Sequence, residues 1–293
     1  MIVGYPGHFF VPLAKLITRK KIIFDAFISL YNTRIFDRNY YSYFGIRGIM
    51  AYYLWIIDWL SCKLADKIIL DTNEHINYFL KKFGINRNKF IRIFVGSDDD
   101  IIFPIENNEK NNEFVVHFHG HFIPLQGIEY IIKAAKLLEN DQIMFNIIGR
   151  GQTYKKSLAL ASELLVKNIN FIAPVSYEDI GKYMSTADIC LGIFGKTDKA
   201  QLVIPNKVYE ALAAKRAVIT GKSDAINEVL TNKENVLLCE MGNEIDLAEK
   251  IIMLKNNREM KDRLAKNGYV FFKKNLTPKL VTKDLIKIIN SQC

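Results

Sequence analysis

Cysteine, proline and tryptophan are scarce in this sequence of 293 residues: four, seven and two respectively. Cys62, Cys190, Cys239 and Cys293 stand far apart and form no CxxC pair. That spacing argues against a zinc ribbon, a thioredoxin-like motif and a disulfide-dense scaffold, and it fits a reducing compartment. So few prolines, with 49% hydrophobic and 24% charged residues, exclude a mainly disordered or fibrous chain. Long apolar runs are missing as well. The longest, Gly48 to Trp59, contains Asp58 and follows Arg47, and it falls short of the ~20 residues that a spanning helix needs. The first residues lack a charged segment, a long apolar core and a small-residue cleavage site, so a cytoplasmic location is expected. What remains is a globular chain with room for two modest α/β domains.

Acidic charge is also in deficit. Asp plus Glu number 31 against 40 Lys plus Arg, a formal net charge of +9. Such a balance attracts nucleic acid, phosphate esters or lipid headgroups without choosing among them.

Strand and helix signals alternate from the start. Met1 to Tyr5 reads as a strand ended by Pro6 and Gly7, Val11 to Ile17 as a helix, and Lys21 to Phe24 as a second strand. Residues 40–66 are rich in Tyr, Trp and Ile among Arg38, Arg47 and Lys63, and read either as a buried helix or as one facing a membrane. A strand Lys67 to Leu70, a helix Glu74 to Phe83 with Gly84 at its C-cap position, and a strand Phe90 to Val95 follow. Asn107 to Asn112, NNEKNN, has the composition of a linker. It places a boundary between a domain 1–107 and a domain 108–272. In the second, strands are expected at Phe114 to Phe118, Met144 to Ile148, Ile169 to Ile172, Ile189 to Ile193 and Ala217 to Thr220, with helices between them. Short βα units of this kind imply a parallel sheet covered on both faces, a Rossmann-like domain. Two in tandem imply a cleft faced by the carboxyl ends of both sheets. The run Thr277 to Ile289 is amphipathic and basic.

The stretch Ile204-Pro205-Asn206-Lys207-Val208-Tyr209-Glu210 carries the most chemistry. Proline is favoured near a helix start, and the free amides of a first turn form an anion site. Lys207 adds a positive charge there. Glu210, one turn further on, can accept hydrogen bonds from two vicinal hydroxyls. The combination suits a diphosphate attached to ribose, and the same spacing also suits a capped amphipathic helix with a solvated Lys–Glu pair. The alternating His117, His119 and His121 could in principle bind a metal, as could Asp98-Asp99-Asp100, but neither group has an evident ligand partner.

The segment KVYEALAAKRAVIT, preceded by IPN, resembles the donor-binding helix of GT-B glycosyltransferases of the large GT4 family. Other segments resemble that family in the same order. Gly96-Ser97-Asp98 with Phe103-Pro104 is similar to its hinge, Gly120 through Gly127 to its glycine loop, Gly149-Arg150-Gly151 to its Gly-x-Gly turn, and Ala187-Asp188-Ile189 to a strand entry. The likeness covers roughly residues 60 to 270. It departs at Leu202, where members commonly carry a first glutamate, and at His121 and Gln126, where they carry Arg and Lys.

The resemblance implies a fold and a chemistry. The fold is α/β of the GT-B type: two Rossmann-like domains facing a central cleft, the N-terminal one incomplete because its usual opening segment is missing. Residues 273–293 then form a helix crossing back to the first domain. The activity is a retaining, metal-independent transfer of sugar from a nucleotide-diphosphate sugar to a polysaccharide or lipid-linked glycan, with no cofactor. Lys207 and His8 are the implied catalytic residues. Gly120, His121, Gln126, Gly149, Gly151, Pro205, Asn206, Lys207 and Glu210 are the implied donor-binding set. Thr72 falls on a family Ser/Thr near the acceptor. Glu228 resembles a later family segment, and reads equally as a helix-surface acid. The alternative function is a non-catalytic nucleotide-sugar-binding subunit whose partner supplies the missing N-terminal part. A sugar epimerase or another GT-B enzyme comes third. No nucleic acid partner is expected. Arg34, Arg38 and Arg47 with nearby aromatics suggest contact with an anionic bilayer at the inner face of the plasma membrane.

Overall fold

The computed structural model describes residues 1–40, 44–106 and 113–292. The expected linker Asn107 to Asn112, and the boundary drawn in it, lie outside the described residues. The chain forms two compact units. Met1–Phe94 joins Thr197–Ile204 and Thr282–Cys293 in one, and Val95–Lys196 joins Pro205–Val281 in the other.

The first unit is built on β1 (Ile2–Val3), α1 (Phe10–Ile17), β2 (Ile23–Asp25), α2 (Phe44–Leu64), β3 (Lys67–Leu70), α3 (Asn73–Phe83) and β4 (Phe90–Arg92). Its four strands pair in parallel in the order β1-β2-β3-β4. Helix α2 buries one face of the stretch expected at residues 40–66. Leu54, Asp58, Ser61 and Cys62 recur at helical spacing and are buried, and among the described residues no helix is long and apolar enough to cross a membrane. Exposed apolar side chains gather on α1 and the first half of α2: Phe10, Leu13, Leu16, Ile17, Ile49 and Tyr52.

Asp58 anchors a turn. Its carboxylate accepts from the Ser29 hydroxyl at 2.6 Å and from the amides of Leu30 and Tyr31 at 3.1 and 2.9 Å. Burial pushes its pKa up to about 7 in spite of these donors. The His8 ring Nε2 lies 3.1 Å from the Ile28 carbonyl and 3.6 Å from the Asp58 carboxylate. His8 is completely buried, and burial pushes its pKa down to about 4, which keeps the imidazole neutral. Thr72 is the N-cap of α3, its hydroxyl oxygen accepting from the His75 amide, and Gly84 closes the helix in the left-handed conformation at φ 63°. The Thr72 hydroxyl also donates to the Leu202 carbonyl, and the Lys199 ammonium donates to the Thr33 hydroxyl at 3.0 Å. These bonds tie Thr197–Ile204 into this unit.

The second unit holds β5 (Phe114–His119), α4 (Ile128–Leu137), β6 (Ile143–Ile148), α5 (Tyr154–Glu163), β7 (Ile169–Ile172), α6 (Tyr177–Ser185), β8 (Ile189–Leu191), α7 (Asn206–Ala213), β9 (Ala217–Gly221), α8 (Asp224–Asn227), β10 (Leu237–Cys239), α9 (Glu244–Asn256) and α10 (Arg258–Asn275), with α11 (Pro278–Gln292) after it. Its parallel sheet has six strands in the order β10-β9-β8-β5-β6-β7. The five expected strands are all present. The sixth, β10, was not among the expected strands. Phe118, Phe122, Phe145 and Phe194 pack with Ile131, Ile147 and Leu191 in the main core. Because β5 lies between β6 and β8, the chain runs outward in both directions from it. Parallel sheets bind ligands at such a reversal, beyond the carboxyl ends of the strands. The aspartate run falls elsewhere. Asp99 pairs with Lys273 at 2.7 Å, and Asp98 accepts from the Asp100 amide.

Candidate donor site

Two strand ends and one helix start build the site. Beyond β5 comes Gly120 and beyond β6 comes Gly149. The Gly120 amide donates to the Ile148 carbonyl and the Gly149 amide to the Ile172 carbonyl, each at 3.0 Å. Both glycines sit at positive φ, 142° and 138°. A Cβ on Gly149 would lie 2.0 Å from the Gly120 carbonyl oxygen, and one on Gly120 would lie 2.8 Å from the Lys207 ammonium. Only glycine lets these two loops approach each other and the lysine so closely.

Helix α7 supplies the charges. Pro205 is its N-cap residue in extended conformation, and Asn206 its first helical residue. Lys207, in the first turn, is buried. Its ammonium donates to the Gln126 side-chain carbonyl and stands 3.8 Å from the centroid of the Phe118 ring. Burial pushes its pKa down from 10.5 to about 7, with Glu210 opposing the shift. An ammonium held by one neutral carbonyl and an aromatic face is poorly compensated, and an incoming anion would compensate it.

Glu210 lies one turn further on, its Oε2 2.7 Å from His119 Nε2. His119 Nδ1 is 2.9 Å from Nε2 of His117. Burial holds His117 well below the usual histidine range, with His119 and Lys207 adding to the effect. From α6, the Tyr177 hydroxyl lies 3.5 Å from the Ser97 hydroxyl and feels the charge of Glu210. Burial raises its pKa.

The structure thus brings Gly120, Gln126, Gly149 and Lys207 together and sets Glu210 beside them. His121, Gly151 and Asn206 are exposed, and Pro205 is half-buried. His8 and Thr72 belong to the other unit. Glu228 follows α8 and is half-buried. Sequence reasoning missed His119 as the partner of Glu210, because 91 positions separate them; it missed Tyr177, and it read Ser97 only as part of the hinge-like Gly96-Ser97-Asp98 segment. The histidine alternation was visible, but it marked a hydrogen-bonded pair. Among the described residues no group of three or more His, Cys, Asp or Glu side chains could hold a metal.

The profile of the family described as glycosyl transferases group 1 matches residues 99–271, more than half of the 293 residues. The chain belongs to this family. An uncharacterised glycosyltransferase of Methanocaldococcus jannaschii is 28% identical over 195 residues, which are 64% of this chain and 50% of that protein. The N,N'-diacetylbacillosaminyl-diphospho-undecaprenol alpha-1,3-N-acetylgalactosaminyltransferase of Campylobacter jejuni is 26% identical over 64% of this chain and 48% of its own length. The chain thus spans about half the length of these curated relatives. Among solved structures, sucrose-phosphate synthase of Thermosynechococcus elongatus superposes with a TM-score of 0.81 at 14% identity, over 97% of this chain and 71% of that one. Anabaena HepE, solved in complex with UDP-glucose, gives 0.77 at 15% identity over 97% of this chain and 76% of that one. At such identities the likeness concerns fold. It is the expected GT-B fold, two α/β domains on parallel sheets.

The depressed lysine makes a testable link between protons and anions. A folded-state value near 7 against 10.5 means that the unfolded chain binds the extra proton between those limits. Stability therefore rises with pH across that window, and the full penalty is present below it. A bound diphosphate favours the charged ammonium, so binding of a nucleoside diphosphate at about pH 8 takes up a proton. Calorimetry in two buffers of different ionisation heat measures this uptake. It is expected in the wild type and absent in Lys207→Met; equal uptake in both would place the titrating group elsewhere.

Proposed function

We propose that the chain binds a nucleotide-diphosphate sugar at the start of α7 and transfers the sugar to a hydroxyl of a polysaccharide or lipid-linked glycan, with retention and without a metal. The observation that carries this reading is the buried Lys207 ammonium between Phe118, Gln126 and the two glycine turns. As the bond from sugar to phosphate breaks, negative charge grows on the leaving diphosphate. A preorganised cation in a water-poor site stabilises that charge more than it stabilises the ground state. Glu210 accepts hydrogen bonds from the ribose hydroxyls and takes no part in bond breaking. His121, Gly151, Pro205 and Asn206 complete the donor set. His8, neutral and buried at the end of β1, is the proposed acceptor-side group. Because the matches cover only about half of the curated relatives, a second reading is a donor-binding subunit that needs a partner for turnover.

Steady-state kinetics in EDTA, with calorimetry on free nucleoside diphosphate, tests this. Lys207→Ala should lower kcat by about 3 kcal/mol of barrier, with a smaller effect on affinity. Glu210→Gln should cost about 1–2 kcal/mol of nucleotide binding, and His8→Gln should lower turnover with nucleotide affinity intact. Unchanged turnover and affinity in Lys207→Ala and Glu210→Gln would move the donor site elsewhere. Turnover appearing only with a co-expressed partner favours the second reading.

The apolar face of α1 and α2, flanked by Lys15, Arg19, Lys20 and Arg47, supports a peripheral contact with anionic lipid in the proposed cytoplasmic setting. Flotation with anionic vesicles should carry the protein upward at low salt and release it at high salt. Protein remaining at the bottom in both conditions excludes the contact.

A further inference from the structure

Two histidines lie in line behind Glu210, and the donor reading gives them no task. His117 Nε2 faces His119 Nδ1 at 2.9 Å, and His119 Nε2 faces Glu210 Oε2 at 2.7 Å. His117 Nδ1 is buried with no hydrogen-bond partner. The pattern constrains the protons. A carboxylate only accepts, so His119 Nε2 carries hydrogen when Glu210 is ionised. Were His119 Nδ1 protonated as well, His117 Nε2 would have to accept, and its proton would sit on Nδ1 as a buried donor facing nothing. That arrangement would also leave an imidazolium beside a ring in the core. With His119 Nδ1 bare, His117 donates from Nε2 and both rings stay neutral. Only a lone pair is then left unmatched at His117 Nδ1, so the neutral arrangement is the cheaper one.

We propose that His119 is a positioning residue for Glu210: His117 fixes its tautomer, and its Nε2–H holds the carboxylate in the orientation that receives the ribose of a nucleoside diphosphate. The assignment rests on the donor-helix reading above and adds a residue to it. It concerns binding and not the chemical step, since the relay ends on the carboxylate assigned to the ribose. A carboxylate held in advance loses less orientational freedom when the ribose arrives, and so binds more tightly.

Calorimetric titrations with UDP, GDP and ADP in turn, continued with whichever binds, separate the two levels. His119→Leu should weaken affinity about tenfold, and His119→Gln, which keeps a nitrogen donor at a similar reach, should restore it to within about threefold. In the double variant His119→Leu with Glu210→Gln, the loss should be no greater than in Glu210→Gln alone, because the two side chains act as one unit. Nitrogen-15 shifts of the free protein, which need no variant to fold, should show His119 as the Nε2–H tautomer. Unchanged affinity in Glu210→Gln overturns the donor-helix reading and this assignment with it. A loss in Glu210→Gln with none in His119→Leu, additive losses in the double variant, or His119 found as the Nδ1–H tautomer overturns the assignment and leaves the donor-helix reading intact.

Discussion

The ammonium of Lys207 is held inside its unit by an aromatic face and a single neutral carbonyl, and the donor-side arrangement depends on it. A charge with so little compensation opposes folding below its folded-state pKa, so a purely structural account gives no reason to keep it buried. Its surroundings are arranged for a guest. Gly120 leaves free the space beside it that a side chain would fill, and Gly149 lets the Gly120 backbone lie close. Gln126, where the resemblance to the family suggested a lysine, gives the ammonium a neutral acceptor instead of a second repelling cation.

The positions of these groups follow from the sheet. In the order β10-β9-β8-β5-β6-β7 the chain leaves β5 in both directions, so the ends of β5 and β6 lie side by side, and the segment out of β8 passes through Thr197–Ile204 before it reaches α7. The loops after β5 and β6 need glycine because their backbones touch each other. Helix α7 follows β8 and brings Lys207 and Glu210 to that place one turn apart. The site is thus a consequence of topology, and the side chains supply its specificity.

Much of this was legible in the sequence. Five of the six strands of the second unit could be read, as could the helix cap at Gly84 and the Pro205–Glu210 segment, because those signals are local. The pairing of His119 with Glu210 was not legible. It joins a strand to a helix across 91 positions, and only the fold brings them together. The environment of Lys207 was equally hidden. A lysine in a first helical turn reads as a solvated charge, and burial beneath Phe118 becomes visible only when β5 and α7 are packed. His8 shows the same limit from the other side. Its sequence gives no sign of burial, and only the fold packs it against the turn that Asp58 pins.

Hydrogen exchange followed by mass spectrometry, with and without UDP, GDP or ADP, tests the central claim most directly, because it maps the bound diphosphate without requiring turnover. The account predicts that protection gathers in the peptides that contain Gly120, Gly149 and Lys207. Binding that leaves those three peptides unchanged, with protection elsewhere in the chain, would contradict it.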